Sequence, residues 1–488
     1  MRDLCLAALD AATSEGASYA DCRGLRMLRQ NLSCEDGRVS NVQDRESLGL
    51  GVRVIVGGAW GFAATRTLTP AEARRTARLA VAIARASGKT RGKPVELAAE
   101  PRRKESFRTP FTIDPFTVSI ADKTGLLLQI NERLRARSPG IKKAESYMIF
   151  KKDEKAFVST EGTDLSILTV TSAAGYQATA VSATDARTRS YEPPPRNAGY
   201  EHIDAAALLD NCDRVADQAV AHLMAKECPV GVKDLILDPL NLALTIHESV
   251  GHATELDRAL GMEESLAGRS FATPDKLNRL QYGSPLVNLV ADNTLPGGLA
   301  TSGFDDEGVA AQRWSIVEDG IFRGYGTSRE VAAAIGEDRS RGTCRADAWG
   351  ATPIVRIPNL SLMPGKTPCT LEDLIKDTED GIYIEGMGSF SIDQMRCNFQ
   401  FGGDAFWEVK HGKIVGMLKN VTYQAITTDF WNACVGIGDQ RSWVPNGILN
   451  CGKGDPMQVA QMTHGASPAK FRGIQIGGAN ASLGVSRT

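Results

Sequence analysis

The stretch SLGLGVRVIVGGAWGFAAT, residues 47–65, decides how the chain begins to fold. Two runs of apolar and β-branched residues flank Gly57-Gly58, a pair that is typical of a tight hairpin turn. Thr69-Pro70-Ala71-Glu72 follows, with a threonine that can cap a helix, a proline at the first helical position and a glutamate able to close a capping box. We therefore predict two paired strands followed by a helix over the alanine-rich residues 70–86.

The same α/β character continues through the middle of the chain. Residues 118–137 and 203–227 each carry apolar side chains at helical spacing, which predicts two amphipathic helices. Between them, the runs 143–150, 155–160 and 165–174 read as strands.

Beyond residue 230 the sequence pattern changes to short strand-like runs separated by glycine-containing turns. Examples of these runs are GIYIE at 381–385 and KIVGML at 413–418. This pattern predicts a β-rich domain that is strongly curved or barrel-like. The predicted fold class is α+β, with mixed N-terminal α/β domains followed by this β-rich domain. The β-rich domain also contains a predicted helix near residues 241–260. The predicted divisions are an N-terminal α/β domain, a middle α/β domain and a C-terminal β-rich domain, at residues 1–110, 111–229 and 230–488.

Composition narrows the classes of function. The 488 residues include 56 Lys and Arg against 58 Asp and Glu, and a net charge of −2 argues against direct binding of nucleic acid. No run approaches 18 apolar residues, so we expect no membrane span. The first residues, MRDLCLAALDAATSEG, do not read as a signal peptide, and the ten cysteines form no CxxC pair. We therefore expect a cytoplasmic protein with mostly reduced, buried thiols.

The stretch TIHESVGHATELD, residues 245–257, contains candidate metal ligands and a candidate catalytic base. His247, Glu248 and His252 form a His-Glu-x-x-x-His pattern in a chain with only 6 histidines. Neutral imidazoles are good ligands for zinc, and a neighbouring carboxylate can act as the base for the attacking water.

The spacing of the two histidines makes a structural prediction. Five residues along a regular helix turn the second side chain about 140° from the first, so the pair would not reach one ion. A one-residue π-bulge restores a common face, and Gly251 makes local distortion easier. The metal interpretation therefore requires a helix that bulges or ends near residues 250–251. The alternative is two unrelated histidines on opposite faces of an ordinary helix.

Two histidines leave the ion short of a third protein ligand. The candidates are the nearby acids, the distant histidines and the cysteines, among them Glu255, Asp257, His411 and His464. Cys451 is the best placed on chemical grounds, because its neighbours Gly452 and Lys453 allow close backbone approach and favour a thiolate. Zinc accepts two histidines and one cysteine together with a water.

Motifs spread over nearly the whole chain carry a family resemblance. They are YADCRG at 19–24, GLGVRVIVGGAWGFAAT at 49–65, STEGT at 159–163, HESVGH at 247–252, GFDDEGVAAQR at 303–313, SRE at 328–330, CRADAW at 344–349, NGILNCGKG at 446–454 and IQIGGA at 474–479. Their order, with the His-Glu-x-x-x-His pattern and the late Cys-Gly-Lys, resembles the TldD/PmbA family, also called the modulator of DNA gyrase family. Within that family the chain is similar to the TldD-like metalloprotease subunits, which keep the histidine motif.

The resemblance implies a specific set of roles. It implies a zinc-dependent peptidase in which His247, His252 and Cys451 bind one divalent ion and Glu248 is the general base. It also implies a dimer that encloses the site in a chamber entered by short or unfolded peptides. The partner subunit would be either a second copy of the chain or a PmbA/TldE-like homologue.

Other interpretations stay open at this point. Cys451 could be the nucleophile of a thiol hydrolase, or the chain could be a non-catalytic interaction or regulatory subunit. Arg329 and Arg345 are candidates to stabilise the oxyanion, and Asp305-Asp306-Glu307 reads as a turn with solvated charges. The aromatic residues around 430–443 favour core packing over a peptide groove.

Overall fold

A computed structural model gives the fold and describes residues 1–90, 92–266 and 268–478. The nine helices of this part of the chain are α1 Arg2–Ser14, α2 Pro70–Ser87, α3 Ile120–Arg137, α4 Ala205–Asp210, α5 Cys212–Leu223, α6 Pro239–Ile246, α7 Leu256–Ala259, α8 Leu371–Lys376 and α9 Thr427–Asn432. Across these described residues, no helix combines the length and apolar character needed to cross a membrane.

Strands outnumber helices. The first half of the chain contributes β1 Tyr19–Glu35, β2 Arg38–Val56, β3 Ala59–Thr65, β4 Lys104–Arg108, β5 Ile141–Ser159, β6 Asp164–Val181, β7 Ala186–Tyr191, β8 Lys226–Glu227 and β9 Gly231–Leu237. The short strands that follow are β10 Leu289–Asp292, β11 Arg313–Glu318, β12 Ile321–Phe322, β13 Cys344–Arg345, β14 Ile354–Val355 and β15 Leu360–Leu362. The last ten are β16 Asp380–Glu385, β17 Phe390–Ile392, β18 Asn398–Phe401, β19 Ala405–Lys410, β20 Lys413–Lys419, β21 Val421–Ile426, β22 Cys434–Ile437, β23 Val444–Lys453, β24 Gln458–Ala466 and β25 Ala469–Gly478.

The opening strand–turn–strand–helix prediction is confirmed. Gly57 and Gly58 both have positive φ in the turn between β2 and β3, a conformation that glycine adopts without strain. The Thr69 side chain accepts a hydrogen bond from the backbone N–H of Glu72 at 3.3 Å and so caps α2. A Cβ atom at Gly61 would lie 2.1 Å from the Ala80 carbonyl oxygen, so α2 packs directly against the backbone of β3.

One seven-stranded sheet joins the first two predicted domains. Its strand order is β3-β2-β1-β5-β6-β4, with β7 added to β6, and only the β4–β6 pair is parallel. Two separate apolar clusters lie against it, one beneath α1 and α2 and the other beneath α3, α4 and α5. The division into three domains stays a prediction, and residues 479–488 of its last segment lie outside the described residues.

Three predicted elements in the middle of the chain, two strands and one helix, were wrong in their bounds. The runs 143–150 and 155–160 form the single strand β5, because β1 pairs with it along its length. The predicted helix 203–227 is two helices, α4 and α5, that meet at Asn211. The Asn211 side chain donates to the Ala207 carbonyl oxygen at 2.9 Å, the kind of local side-chain bond that competes with a continuous helix.

A ten-stranded sheet carries the site helix, which confirms that the C-terminal part is β-rich. Its order is β17-β18-β21-β25-β9-β16-β19-β20-β8, with β22 added to β25. Strand β9 lies inside this sheet, parallel to β16 and antiparallel to β25, and it leads directly into α6. Among the described residues the order runs from β17 to β8 without a closing pair, so the barrel-like alternative is not confirmed.

The acidic run at 305–307 does not form a solvated turn, so that interpretation was wrong. All three side chains are buried where the seven-stranded sheet packs on the C-terminal part of the chain. The Asp306 carboxylate contacts Lys155 and lies 3.5 Å from Arg23, and Glu307 lies 3.2 Å from Arg53. Cations from β1, β2 and β5 therefore supply the charge compensation that the local sequence lacks.

Candidate metal centre

The helix that carries the histidine motif changes its winding at the motif. Residues 239–246 are α-helical, and His247–Gly251 forms a π-helical turn in which the His252 N–H donates to the His247 carbonyl oxygen. The predicted bulge is therefore confirmed, at the residues where the five-residue spacing required it. The rings of His247 and His252 end on the same side, with centroids 4.8 Å apart.

Ser249 ties the widened turn to the core. Its hydroxyl donates to the Thr245 carbonyl oxygen at 2.6 Å and accepts from the Trp431 indole at 3.0 Å. The Tyr282 hydroxyl donates to the Ser249 carbonyl oxygen at 2.6 Å. Trp431 is fully buried, so the aromatic residues contribute to core packing here and also hold the turn in place.

Cys451 joins the two histidines from the far end of the chain. It lies on β23, and its Sγ atom is 3.5 Å from His252 Nε2. One ligand atom each from His247, His252 and Cys451 lies within 4.8 Å of the others, and all three side chains are buried. This cluster brings together two nitrogens and one sulfur that could hold one metal ion.

His464 determines which nitrogen of His247 is free. The Nδ1 atom of His464 lies 2.9 Å from the Leu360 carbonyl oxygen, which can only accept, so this nitrogen carries the proton. In a neutral ring the Nε2 atom of His464 is then an acceptor, and it lies 2.9 Å from His247 Nδ1. His247 therefore donates through Nδ1, which leaves the lone pair on its Nε2 atom for a ligand role.

Glu255 has the same effect on His252. Its Oε2 atom lies 2.8 Å from His252 Nδ1, so His252 donates there and keeps its Nε2 lone pair on the side of Cys451. Lys453 lies 3.3 Å from the other oxygen of Glu255 and 2.8 Å from each oxygen of Asp257. Burial alone would raise the pKa of Glu255, but Lys453 and His252 lower it well below its ordinary value.

The pKa shifts of the candidate ligands favour the protonation states that bind a metal cation. Burial lowers the pKa of both His247 and His252 and lowers that of His464 further, which favours the neutral form of each ring. Burial would raise the pKa of the Cys451 thiol, but His252 and Arg356 outweigh it and the pKa lies below the usual value. Arg356 approaches the sulfur at 3.2 Å and also donates to the Cys451 carbonyl oxygen at 2.6 Å.

Glu248 lies in the same π-helical turn and is also buried. Its Oε2 atom accepts a hydrogen bond from Nη1 of Arg396 at 2.5 Å. Arg396 comes from the turn between β17 and β18, which is 148 residues away in sequence. A candidate base and a cation thus meet beside the three candidate ligands.

Family models match three parts of the chain. The PmbA/TldA metallopeptidase C-terminal domain matches residues 231–478, domain 1 matches 20–84 and the central domain matches 113–226. The first of these alone covers more than half of the chain. The chain belongs to the PmbA/TldD metallopeptidase family.

Curated relatives share this assignment at low identity. A metalloprotease of Methanothermobacter thermautotrophicus is 26% identical over 94% of this chain and 95% of its own length. A zinc metalloprotease TldD homolog of Saccharolobus solfataricus is 25% identical over 95% of this chain and 97% of its own. As a member of the family, the chain is a metallopeptidase, a hydrolase that acts on peptide bonds.

Solved structures share the fold of this PmbA/TldD member. A protein of Thermotoga maritima described as a modulator of a DNA gyrase has a TM-score of 0.79 at 16% identity and covers 97% of this chain and 99% of its own. TldE from Thermococcus kodakarensis has a TM-score of 0.75 at 15% identity, over 96% of this chain and 99% of its own. At these identities the likeness shows the fold alone.

Several other candidates from the sequence lie elsewhere in this metallopeptidase. His411 is largely exposed and contacts Glu379. His464, Glu255 and Asp257 lie behind the three candidate ligands, where they contact His247, His252 and Lys453 respectively.

The two arginines expected near an oxyanion, Arg329 and Arg345, instead form hydrogen bonds with other residues of the chain. Arg329 pairs with both oxygens of Glu161, at 2.7 and 2.9 Å, and Arg345 donates to the carbonyl oxygens of Gln461 and Ile357. Sequence reasoning missed Arg356, which contacts Cys451, and Arg396, which contacts Glu248. Neither lies in a recognisable motif, so the sequence carried no signal for them.

Proposed function

We propose that the chain is a zinc-dependent peptidase in which His247, His252 and Cys451 bind one zinc ion and Glu248 is the general base. The observation that carries the proposal is the π-helical turn, which brings both imidazoles to the same side and next to a thiol. A regular helix would have separated them by about 140°.

The donor set fits zinc. The hydrogen bonds to His464 and Glu255 leave an Nε2 lone pair on each of the two candidate histidine ligands, and Arg356 favours the thiolate of Cys451. His247, His252 and Cys451 would supply three protein ligands, so a bound zinc ion could still take up a water or the substrate. When bound, zinc supplies Lewis-acid polarisation of the peptide carbonyl and makes water more acidic.

The chain's own residues then account for the proton transfers. Glu248 takes a proton from the attacking water as the new C–O bond forms at the peptide carbonyl carbon. The same carboxyl returns that proton to the amide nitrogen as the C–N bond breaks. The first products are a peptide with a new carboxylic acid and a peptide with a new amino group. The acid then gives its proton to the amine, which leaves a carboxylate and an ammonium group, so atoms and charge balance.

Burial supports short or unfolded peptides as substrates. The candidate ligands and Glu248 are each 3–5% exposed, so an extended chain reaches them more readily than the surface of a folded protein. We further propose that the subunit works in the cytoplasm as a dimer that encloses the site, with a second copy or a PmbA/TldE-like subunit.

Metal content and hydrolysis of a peptide library test the proposal together. We expect about one zinc per active subunit, loss of hydrolysis on exhaustive chelation and recovery with added zinc. His252→Ala should lose the metal, whereas Glu248→Gln should keep it and lose hydrolysis about 10²–10⁴-fold. Peptide turnover that Glu248→Gln leaves unchanged would refute the mechanism.

The same experiment separates a thiol hydrolase, which the contact between Cys451 and His252 also permits. A thiol hydrolase would keep its activity after chelation and lose it on alkylation. A non-catalytic subunit would show no turnover with any metal. His411→Ala is the matched control for histidine loss, because that ring is largely exposed and contacts Glu379.

A further inference from the structure

The turn between β17 and β18 is built to present one side chain. Asp393 accepts hydrogen bonds from the backbone N–H groups of Cys397 and Asn398 at 2.9 and 3.1 Å, which closes the turn on itself. Within it, Arg396 has φ of 61°, in the left-handed region that glycine adopts most easily. A long cationic side chain therefore stands where the backbone alone would favour glycine.

Neighbouring segments hold this turn against the site. The Arg396 carbonyl oxygen accepts from the Thr427 hydroxyl at 2.8 Å, and the Met395 carbonyl oxygen accepts from the Phe271 N–H at 2.9 Å. Counting side-chain atoms alone, Arg396 is 15% exposed and Glu248 is 7% exposed. Strain in a backbone that its surroundings hold in place is a recurrent feature of functional sites.

Among the described residues, the Arg396 guanidinium makes one side-chain hydrogen bond, to Glu248. Nη1 donates to Glu248 Oε2 at 2.5 Å, while the buried Nε atom has no hydrogen-bond partner among the described residues. A buried donor without a partner is uncommon in folded proteins, so hydrogen bonding alone does not explain why this guanidinium is placed here. The geometry instead fixes one oxygen of Glu248 and leaves Oε1 outside this contact.

We propose that Arg396 is a positioning residue for the peptidase reaction, which orients the Glu248 carboxylate so that Oε1 is available for proton transfer. This inference rests on the proposed function, in which Glu248 is the base. A base must stay within about 2.6–3.2 Å of the proton it takes, and a glutamate side chain without a fixed partner samples several rotamers. Arg396 removes that freedom without touching the peptide.

Steady-state kinetics on zinc-loaded Arg396→Ala test the role. We expect kcat to fall about 10–100-fold, the range for loss of a supporting partner, with KM and zinc content unchanged. Added guanidinium salt should restore part of kcat, since it replaces the lost group at the same place. The kcat of Arg396→Lys should stay below that of the wild type, because the compact ammonium group on a flexible side chain does not reproduce the planar guanidinium donor.

Arg269→Ala is the matched control. Arg269 lies on an adjoining segment, but it is 56% exposed and pairs with Glu264 on the surface. Its kinetics should equal those of the wild type, with or without guanidinium. An Arg396→Ala enzyme with wild-type kcat, or one whose loss guanidinium does not relieve, would overturn the proposal.

A double-mutant cycle supplies a readout that needs no turnover. Thermal unfolding of the metal-free wild type, Arg396→Ala, Glu248→Gln and the double variant measures the coupling between the two side chains. We expect the shift in unfolding temperature of the double variant to differ clearly from the sum of the shifts of the two single variants. Additive shifts would overturn the proposal even if Arg396→Ala folds poorly and its kinetics are lost.

Failure of the two proposals can be told apart. If the zinc-loaded wild type hydrolyses no peptide, the proposed function fails, and the positioning role for the reaction fails with it whatever the cycle reports. If the wild type hydrolyses peptides and Arg396→Ala matches it, only the positioning role fails.

Discussion

At the scale of single residues, His464 is the side chain that leaves His247 Nε2 free for its proposed role as a metal ligand. It fixes the His247 tautomer through the contact between His464 Nε2 and His247 Nδ1. We expect His464→Ala to weaken zinc binding about 10–100-fold, because a ligand that loses its supporting hydrogen bond is neither oriented nor held in one tautomer. Competition with a chromophoric chelator measures this change. Equal affinities for His464→Ala and the control His411→Ala would contradict it.

The buried histidines also predict how the metal-free protein responds to acid. The pKa of His247, His252 and His464 is lowered in the folded state, whereas an unfolded histidine titrates near about 6.5. The unfolded chain therefore binds more protons than the folded one around and below that value. The stability these rings contribute is fully present above about pH 6.5 and is lost as the pH falls.

Urea unfolding of the metal-free protein from about pH 8 to about pH 5.5 measures the effect. We expect the free energy of unfolding to fall across this range, and to fall less steeply in His464→Gln, which has one buried ring fewer. His411→Gln should keep the wild-type slope, because that ring is exposed. Identical slopes for the two variants would show that the buried rings do not govern the acid response.

At the scale of elements, the π-helical turn depends on Gly251. A Cβ atom there would lie 2.9 Å from two side-chain atoms of Ile357, so even one methyl group overfills the contact. We expect Gly251→Ala to lower the free energy of unfolding by about 1–3 kcal/mol. In the background of Ile357→Val, which removes one of those two atoms, the same substitution should cost less. Urea unfolding of the four proteins tests this, and an equal cost in both backgrounds would contradict it.

The same turn shows what the sequence could and could not predict. The five-residue spacing of His247 and His252 predicted the bulge, because two imidazoles can serve one ion only if the helix widens between them. The hairpin at 47–65 and the helix after it were equally predictable, since their turn and cap signals are local. Arg396 was not predictable, because its role depends on a turn that reaches Glu248 from 148 residues away. The acidic run at 305–307 was misread for the same reason.

At the scale of the whole molecule, that acidic run connects the N-terminal sheet to the part of the chain that carries the site. Asp306 lies between Lys155 of β5 and Arg23 of β1, and its carboxylate is 1% exposed. Burial would raise the pKa of Asp306, but Lys155 and Arg23 lower it below its ordinary value, so it is a charged group inside the junction. Its loss would leave Arg23, whose side chain is 2% exposed, and Lys155, whose side chain is 15% exposed, without this compensating carboxylate.

We therefore expect Asp306→Ala to lower the free energy of unfolding by about 3–5 kcal/mol, the cost of breaking a buried charge pair from one side. The control Arg441→Ala removes a surface pair with Asp439, in which the arginine is 71% exposed, and should cost no more than about 1 kcal/mol. Urea unfolding of both variants measures the difference. If the two costs were equal, the junction would owe its stability to apolar contacts around it. A large cost for Asp306→Ala alone would show that the N-terminal sheet is held to the C-terminal part of the chain through charge.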